Sequence, residues 1–244
     1  MKNTVAIFKR ELRGYFSTPI APVFLIIFLM LTGLFTFKFS GFYEIGQADL
    51  RPFFFWHPWL YLLLVPAISM RLWAEERGSG TIELLLTLPV SLWEAVIGKF
   101  LAAWAFIGIG LGLTFSFIIT VAYLGNPDGG VILAGFIGSF LMAGAFLALG
   151  CCVSTLTKDQ VIAFILTIVG AFLFISIGFR PVLDFLSNYF PIWLLEGTAK
   201  FSFLTHFESI QRGVLDLKDI IFFLTFIGAF LYAGIVLIDN RKAM

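Results

Sequence analysis

Charged residues are scarce in this chain of 244 residues: Asp, Glu, Lys and Arg together make up 13%, against roughly a quarter in soluble domains. Hydrophobic residues make up 60%, and the mean hydropathy is +0.99. This composition excludes an ordinary soluble domain and indicates a membrane protein. The net charge of +1 provides no basic surface for nucleic acid, so no nucleic-acid partner is expected.

The residues that build disulfides, metal sites and nucleotide sites are also few. The two cysteines, Cys151 and Cys152, are adjacent and predict no disulfide framework. The two histidines and five methionines show no spacing that converges on a metal ion. The one Gly-Lys pair, Gly98-Lys99, is followed by Phe100 and lacks the first glycine of a Walker A motif. We therefore expect no cofactor, no metal and no catalytic site in this chain.

Long apolar runs dominate what remains. A helix needs roughly 20 mostly apolar residues to cross a bilayer, and six runs approach or exceed that length. They cover 20–37, 52–70, 92–124, 131–156, 161–179 and 220–238. None shows the period-2 alternation of a barrel strand. The sequence predicts an all-α, single-domain membrane protein with six transmembrane helices, the first of which is too long for a signal peptide.

The distribution of Lys and Arg predicts the orientation of these spans. With a cytoplasmic N-terminus, ten cations lie on the cytoplasmic side and six on the other, four of them in the long 180–219 segment. The ten are Lys2, Lys9, Arg10, Arg13, Arg71, Arg77, Lys99, Lys158, Arg241 and Lys242. We expect a multi-pass protein of the cytoplasmic (inner) membrane with both termini in the cytoplasm, and the aromatic run at 52–59 at the outer interface.

The N-terminal residues 1–18 have the pattern of an interfacial elbow helix. Val5, Phe8, Leu12 and Tyr15 recur at helical spacing, while basic residues occupy the rest of the helix. Such a helix lies in the headgroup plane with its cations near anionic lipid.

The 75–90 segment, between the second and third spans, is charged and then leucine-rich. Gly78 and Gly80 predict a reversal, Thr81 a helix cap, and Pro89 the end of a short helix that is apolar nearly all round. Ser91 and Glu94 then form a capping box for the third span. A helix so short and apolar needs lipid or a partner protein to cover it.

The 180–219 segment is too charged to span but rich in Phe, Leu and Trp. We expect it to form short amphipathic helices that cap the outer ends of the spans or receive an extracytoplasmic partner. Small residues in the fourth span, from Gly135 to Ala148, are expected to pack helices within the chain.

Three motifs resemble those of a known family, the ABC-2 type transporter permeases. The cytoplasmic loop carries Glu75, Glu76, Gly80, Thr81, Glu83, Leu85, Leu86, Pro89 and Val90; the elbow carries Lys9, Arg10, Glu11, Leu12, Tyr15, Phe16, Ser17, Pro19 and Ala21. Before the last span come His206, Phe207, Ser209 and Gly213. Within the family the chain is most similar to the permease associated with gliding motility, with the permease of nitrous oxide reductase maturation a relative.

The resemblance implies a type V exporter-like half-transporter that pairs with a second copy or a close paralogue through its first and fifth spans. A separate ABC ATPase would bind ATP and Mg²⁺ and receive the short loop helix as a coupling helix. The residues so implicated are Glu75, Glu76, Arg77, Gly80, Thr81, Glu83, Leu84, Leu85, Leu86, Pro89, Lys158 and Asp159. The elbow residues, from Lys9 to Phe16, would contact membrane lipid. The substrate stays open, and so does mechanical work on an outer partner without transport.

Two other functions remain as alternatives. An intramembrane protease of the CAAX type would use His57 with Glu75 and Glu76, but position 80 is Gly where that motif has Arg. An ion-coupled secondary transporter would show ionisable groups at mid-membrane, whereas residues 100–124 and the interiors of the last three spans contain no charged residue.

Overall fold

The computed structural model describes residues 2–46, 48–81 and 90–240, and within them the chain forms helices and no strand. The helices are α1 (Lys2–Ser17), α2 (Ile20–Leu34), α3 (Phe42–Ile45), α4 (Arg51–Phe55), α5 (His57–Ser69), α6 (Arg71–Ser79), α7 (Leu92–Leu113), α8 (Phe115–Leu124), α9 (Gly129–Ser154), α10 (Gln160–Ser176), α11 (Arg180–Leu186), α12 (Ile192–Ala199), α13 (Phe203–Gln211) and α14 (Leu217–Asn240). A π-helical turn over Phe35–Phe39 continues α2.

Four of these helical stretches are long and apolar enough to cross a membrane. They are Ala21–Phe39, Leu92–Leu124, Gly129–Ser154 and Leu217–Asn240. A fifth is added if α10 and α11, which meet at 72°, form one bent span. The predicted second span is divided into α4 and α5 at Trp56, so neither piece reaches the required length alone. The all-helical, multi-pass class is confirmed, and the count of six stays a prediction.

Helix α9 is the centre of the bundle. In its most apolar stretch 67% of the residues are buried, against 17% in the first span. Its small residues admit neighbours closely: a Cβ on Gly138 would lie 2.6 Å from Ile210 of α13, and one on Gly144 would lie 2.8 Å from the Trp104 ring of α7. The prediction that the small residues of this span pack helices within the chain is confirmed.

Contacts between the segments that join the long helices define two ends of the bundle. At one end, which we call the elbow end, Asn3 of α1 donates to Glu94 (Nδ2 to Oε2, 3.2 Å). At the other, the far end, a Cβ on Gly125 would lie 2.6 Å from that of Ala48, and Gly213 lies against Val131. The connections therefore alternate between two ends, as the predicted span order requires.

The segment between α10 and α14 contains three short helices, as expected. Two of them leave large rings exposed: Phe185 of α11 is 63% exposed and Trp193 of α12 is 72% exposed. The third, α13, buries Phe203 and Phe207 completely against the bundle. This part of the segment is therefore built into the core, whereas α11 and α12 cover little.

Much of the aromatic run at 52–59 is buried inside the bundle, and its position at the outer interface stays a prediction. Phe55 is exposed, but Phe53, Phe54 and His57 are at most 1% exposed. The small residues of α9 leave room that these rings fill. The Nδ1 atom of His57 and the hydroxyl of Tyr61 each lie 2.7 Å from Oγ of Ser139 on α9, which forms a polar cluster inside the bundle.

Candidate functional site at the elbow end

Helix α6 leads into the segment predicted to form the coupling helix. It ends at Gly80, whose φ of +73° lies in the left-handed region that glycine adopts without strain. Gly78 belongs to the helix and not to the reversal predicted for it. A Cβ on Gly78 would lie 2.9 Å from the carbonyl oxygen of Lys158, so glycine there lets α6 approach the connection between α9 and α10.

Residue Thr81 is exposed directly after this turn, and its hydroxyl donates to the Glu76 carbonyl (3.4 Å). Five residues of the predicted site lie in 82–89, outside the described residues: Glu83, Leu84, Leu85, Leu86 and Pro89. The structure thus fixes where the segment starts and where it rejoins the bundle. It rejoins at the capping box, where Glu94 N–H donates to Ser91 Oγ (3.3 Å) and Ser91 N–H donates to Glu94 Oε2 (3.2 Å), confirming that prediction.

A buried ion cluster joins α1, α6 and α7. The Nζ of Lys99 lies 2.8 Å from Oε1 of Glu76 and 3.6 Å from Oε1 of Glu11. The Lys99 side chain is 4% exposed, against 18% for Glu76 and 22% for Glu11. Nζ also lies 5.3 Å from the centroid of the Trp73 ring, within cation–π distance. Glu11 and Glu76 were predicted as elbow and coupling residues, and Lys99 brings them together.

The other two charges of the loop motif are also held inside the chain. Arg71 donates to both oxygens of Glu75, at 2.9 and 3.2 Å, and these hydrogen bonds raise the pKa of Arg71 above its ordinary value. Arg77 donates from Nη1 to the carbonyl of Thr155 at the end of α9, where the helix dipole favours a cation. The resemblance implicates these charges in coupling to the ATPase; Glu75, at 48% exposed, is the most available of them to a partner.

The elbow residues divide between the bundle and the surface. The Tyr15 ring stacks on Phe106 of α7 with centroids 5.0 Å apart, and burial raises the pKa of its hydroxyl. Leu12 is half-buried in the core, while Lys9 and Phe16 are exposed. Arg10 is exposed and pairs with Glu11 (2.7 Å). Helix α1 therefore packs on α7, and its position relative to lipid headgroups stays a prediction.

In the connection between α9 and α10, one of the two predicted site residues has a structural role as a helix cap. Asp159 caps α10, since Oδ1 accepts from the N–H groups of Val161 (2.7 Å) and Ile162 (3.2 Å). Lys158 is exposed beside α6. Of this pair, Lys158 is the one available to a partner.

Lys99 is the residue that the sequence reasoning missed. In the charge distribution it is one of the ten cations on the predicted cytoplasmic side. Its position in the sequence indicates a role inside the bundle, because Lys99 lies two turns inside the predicted third span and is followed by more than twenty uncharged residues. A charge so placed needs a partner.

Within residues 2–46, 48–81 and 90–240, no three His, Cys, Asp or Glu side chains are grouped closely enough to hold a metal ion. The elbow end offers ion pairs and packing surfaces, and these suit mechanical coupling between helices.

Comparison with known proteins agrees with this architecture. The family model described as ABC-2 family transporter protein matches residues 59–234, from α5 almost to the end of α14. No curated protein matches the chain. Since the matched region covers most of the sequence, the chain belongs to the ABC-2 family of transporter proteins, the membrane permease components of ABC transporters.

Proposed function

We propose that the chain is one half of an ATP-driven permease whose ATPase docks at the elbow end. Two copies, or this chain and a close paralogue, would form the membrane part in the cytoplasmic membrane, with the elbow end and both termini in the cytoplasm. The charge bias of the sequence supports this orientation. The narrower similarity to the gliding-motility permease stays a prediction.

The docking surface would consist of the 81–90 segment and the connection beside it. Gly78 brings α6 against Lys158, so the end of α6, from which the segment departs, lies beside the connection between α9 and α10 at the elbow end. Apolar side chains of the 81–90 segment would fill a groove of the ATPase. Exposed charges, Lys158 and Glu75, would set the register of docking, because rim charges contribute more to specificity than to affinity.

The observation that carries the proposal is the Lys99 cluster. A displacement of the docked segment would act first on α6, and Lys99 ties α6 to α1 and α7. Arg77 ties the same helix to the end of α9, the central helix. Motion imposed on α6 would therefore reach the elbow, the third span and the core together. Nucleotide-driven closure of the partner would bias this arrangement between two states.

The proposal is tested by placing charge on the docking segment. Leu85→Asp with Leu86→Asp should abolish co-purification of an ABC ATPase from native membranes, because buried carboxylates would face an apolar groove. The matched control is Leu194→Asp with Leu215→Asp, two partly exposed leucines of the 180–219 segment. The Leu85/Leu86 variant should still insert into the membrane, and the permease itself should still fold. Retention of the ATPase by the Leu85/Leu86 variant would refute the assignment.

The alternatives have less support from the site. A protease of the CAAX type needs His57 and the glutamates in one site, whereas His57 bonds to Ser139 and Glu76 pairs with Lys99. An ion-coupled transporter would use an ionisable group inside the bundle. The buried His57 cluster is the feature that such a function would use.

A further inference from the structure

His206 of α13 belongs to a sequence motif that the docking surface does not use. Its Nδ1 atom lies 2.6 Å from Oδ1 of Asp219, in the first turn of α14. Its Nε2 atom lies 2.9 Å from the carbonyl oxygen of Lys200, directly after α12. One imidazole ring therefore joins three helices. We call the ring and its two partners the His206 bridge.

The two contacts fix the number of protons in the bridge. A backbone carbonyl oxygen only accepts, so Nε2 must carry a proton in order to donate to Lys200. A contact of 2.6 Å between Nδ1 and a carboxylate oxygen of Asp219 also needs a proton between the two atoms. A neutral imidazole has one N–H group. The bridge thus holds one proton more than a neutral histidine beside an ionised aspartate.

The extra proton belongs on the ring. Asp219 lies in the first turn of α14, where the helix dipole favours a carboxylate. It is 1% exposed, and its Oδ2 accepts no hydrogen bond within the described part of the chain, so an imidazolium ion is needed to balance its charge. Lys218 is the neighbouring cation, but its side chain is 70% exposed and pairs with Asp216. The His206 side chain is 13% exposed, so the ring can exchange its proton with water.

The other helices that pack on α13 bring no further charge to the ring. Helices α9 and α10 contain no charged residue, and the thiols of Cys151 and Cys152 lie at the opposite end of α9. On α13 itself, Glu208 is two residues from His206 and points to a different side of the helix. Arg212 follows α13 and is exposed. The state of the bridge is therefore decided by His206 and Asp219.

The bridge secures α12, which is otherwise poorly anchored. Of the eight residues of α12, only Leu195 is buried. Helix α13, in contrast, is fixed in the core by Phe203 and Phe207, and the His206 ring stacks on Phe222 of α14 with centroids 3.9 Å apart. Breaking the bridge would therefore release α12 and leave α13 in place.

We propose that the His206 bridge is a proton-dependent latch, which holds α12 at the far end of the bundle and releases it when the pH rises. A histidine in an unfolded chain loses its proton near pH 6.5. Above about that pH the closed latch binds one proton more than the open form, so its stability falls as the pH rises. With both termini in the cytoplasm, the far end meets the extracytoplasmic solution, and the latch responds to the pH there. The latch requires neither the ATPase nor a second copy, so its failure would leave the proposed coupling untouched.

Hydrogen exchange followed by mass spectrometry tests the latch in the purified full chain in a mild detergent. Exchange is measured at about pH 6.5 and about pH 8.5, on either side of which a free histidine is charged or neutral. The intrinsic exchange rate also depends on pH, so each variant is compared with the unaltered chain at the same pH. Protection of the amides in 192–202 should fall at least about tenfold between the two conditions, because one proton changes the opening equilibrium by up to about tenfold per pH unit. Protection of α9 should stay constant.

Asp219→Asn removes the need for the extra proton. The amide of Asn donates to Nδ1 of a neutral ring, whose Nε2–H still donates to Lys200. This variant should keep α12 protected at both pH values. The matched control is Asp216→Asn, which neutralises a carboxylate three residues earlier whose side chain is 42% exposed. It should show the pH dependence of the unaltered chain.

The protonation of the ring can also be measured without altering the bridge. Labelling with ¹⁵N-histidine gives signals from His57 and His206 only, since the chain has two histidines, and His57→Gln assigns them. At about pH 7.5, where a free histidine is mostly neutral, both ring nitrogens of His206 should carry protons.

Three results would overturn the proposal. The first is equal protection of 192–202 in the unaltered chain and in Asp219→Asn at the higher pH. The second is a pH dependence that persists in Asp219→Asn. The third is a His206 ring with a single protonated nitrogen at about pH 7.5, a result that does not depend on whether the variants fold.

Discussion

Replacement of Lys99 by Met tests the cluster that joins α1, α6 and α7. Methionine is similar in length and apolar, so it fills the space without the charge. Glu76, with its side chain 18% exposed, would then keep its charge largely out of water with no cation at 2.8 Å. Removing one partner of a buried ion pair costs about 3–5 kcal/mol, because the remaining charge is uncompensated.

The expected loss is large enough to measure by thermal unfolding. For a chain of this size, 1 kcal/mol corresponds to about 2–4 °C in Tm, so Lys99→Met should lower Tm by on the order of 10 °C. Intrinsic fluorescence reports the transition, since the chain has six tryptophans and Trp73 lies directly beneath Lys99. The measurement uses the purified chain in a mild detergent.

Two further variants separate charge pairing from packing. Lys99→Met with Glu76→Gln removes both charges and should recover most of the lost stability, because a buried pair replaced as a unit is often neutral. Lys218→Met removes an exposed cation paired with Asp216 and should leave Tm unchanged. If Lys99→Met unfolds at the same temperature as Lys218→Met, or if the double variant is no more stable than Lys99→Met alone, the ion pair does not stabilise the bundle.

Three other predictions concern the rest of the bundle. Gly138→Ala should lower the free energy of unfolding by about 1–3 kcal/mol, because its Cβ would overlap a buried isoleucine of α13. Gly112→Ala has open space around the added Cβ and should leave the stability unchanged. Equal Tm values for the two variants would contradict this packing. Ser139→Ala should cost about 1–3 kcal/mol, since it removes the group that His57 and Tyr61 share, and an unchanged Tm would contradict it. His206→Ala should expose the chain between α13 and α14 to protease, because Asp219, 1% exposed, loses its partner at 2.6 Å; an unaltered digestion pattern would disprove that role.

Features set by local sequence could be predicted. The apolar runs identified the long helices, because spanning length is read directly from composition. The capping box at Ser91 and Glu94 depends on residues three apart, and the left-handed Gly80 on a single residue type; both are present. The short helices of the 180–219 segment follow from the same local periodicity.

Features set by packing between distant helices could not be predicted. Glu11, Glu76 and Lys99 are far apart in sequence, and the relative rotation of three helices decides that they meet. The same applies to His57, whose burial and contact with Ser139 depend on how α5 packs against α9. Gly78 was assigned to a turn, whereas its role comes from the approach of the α9–α10 connection.

Docking of an ABC ATPase at the elbow end can be tested by cross-linking from a single introduced cysteine. Lys158→Cys places a thiol at the exposed elbow end, while Tyr123→Cys places one at the far end, where Tyr123 is 90% exposed. The native Cys151 and Cys152 are buried and should react little. With a short bifunctional reagent in native membranes, we expect a cross-link to an ABC ATPase from position 158 and none from position 123. An ATPase captured from position 123, or from neither end, would contradict it.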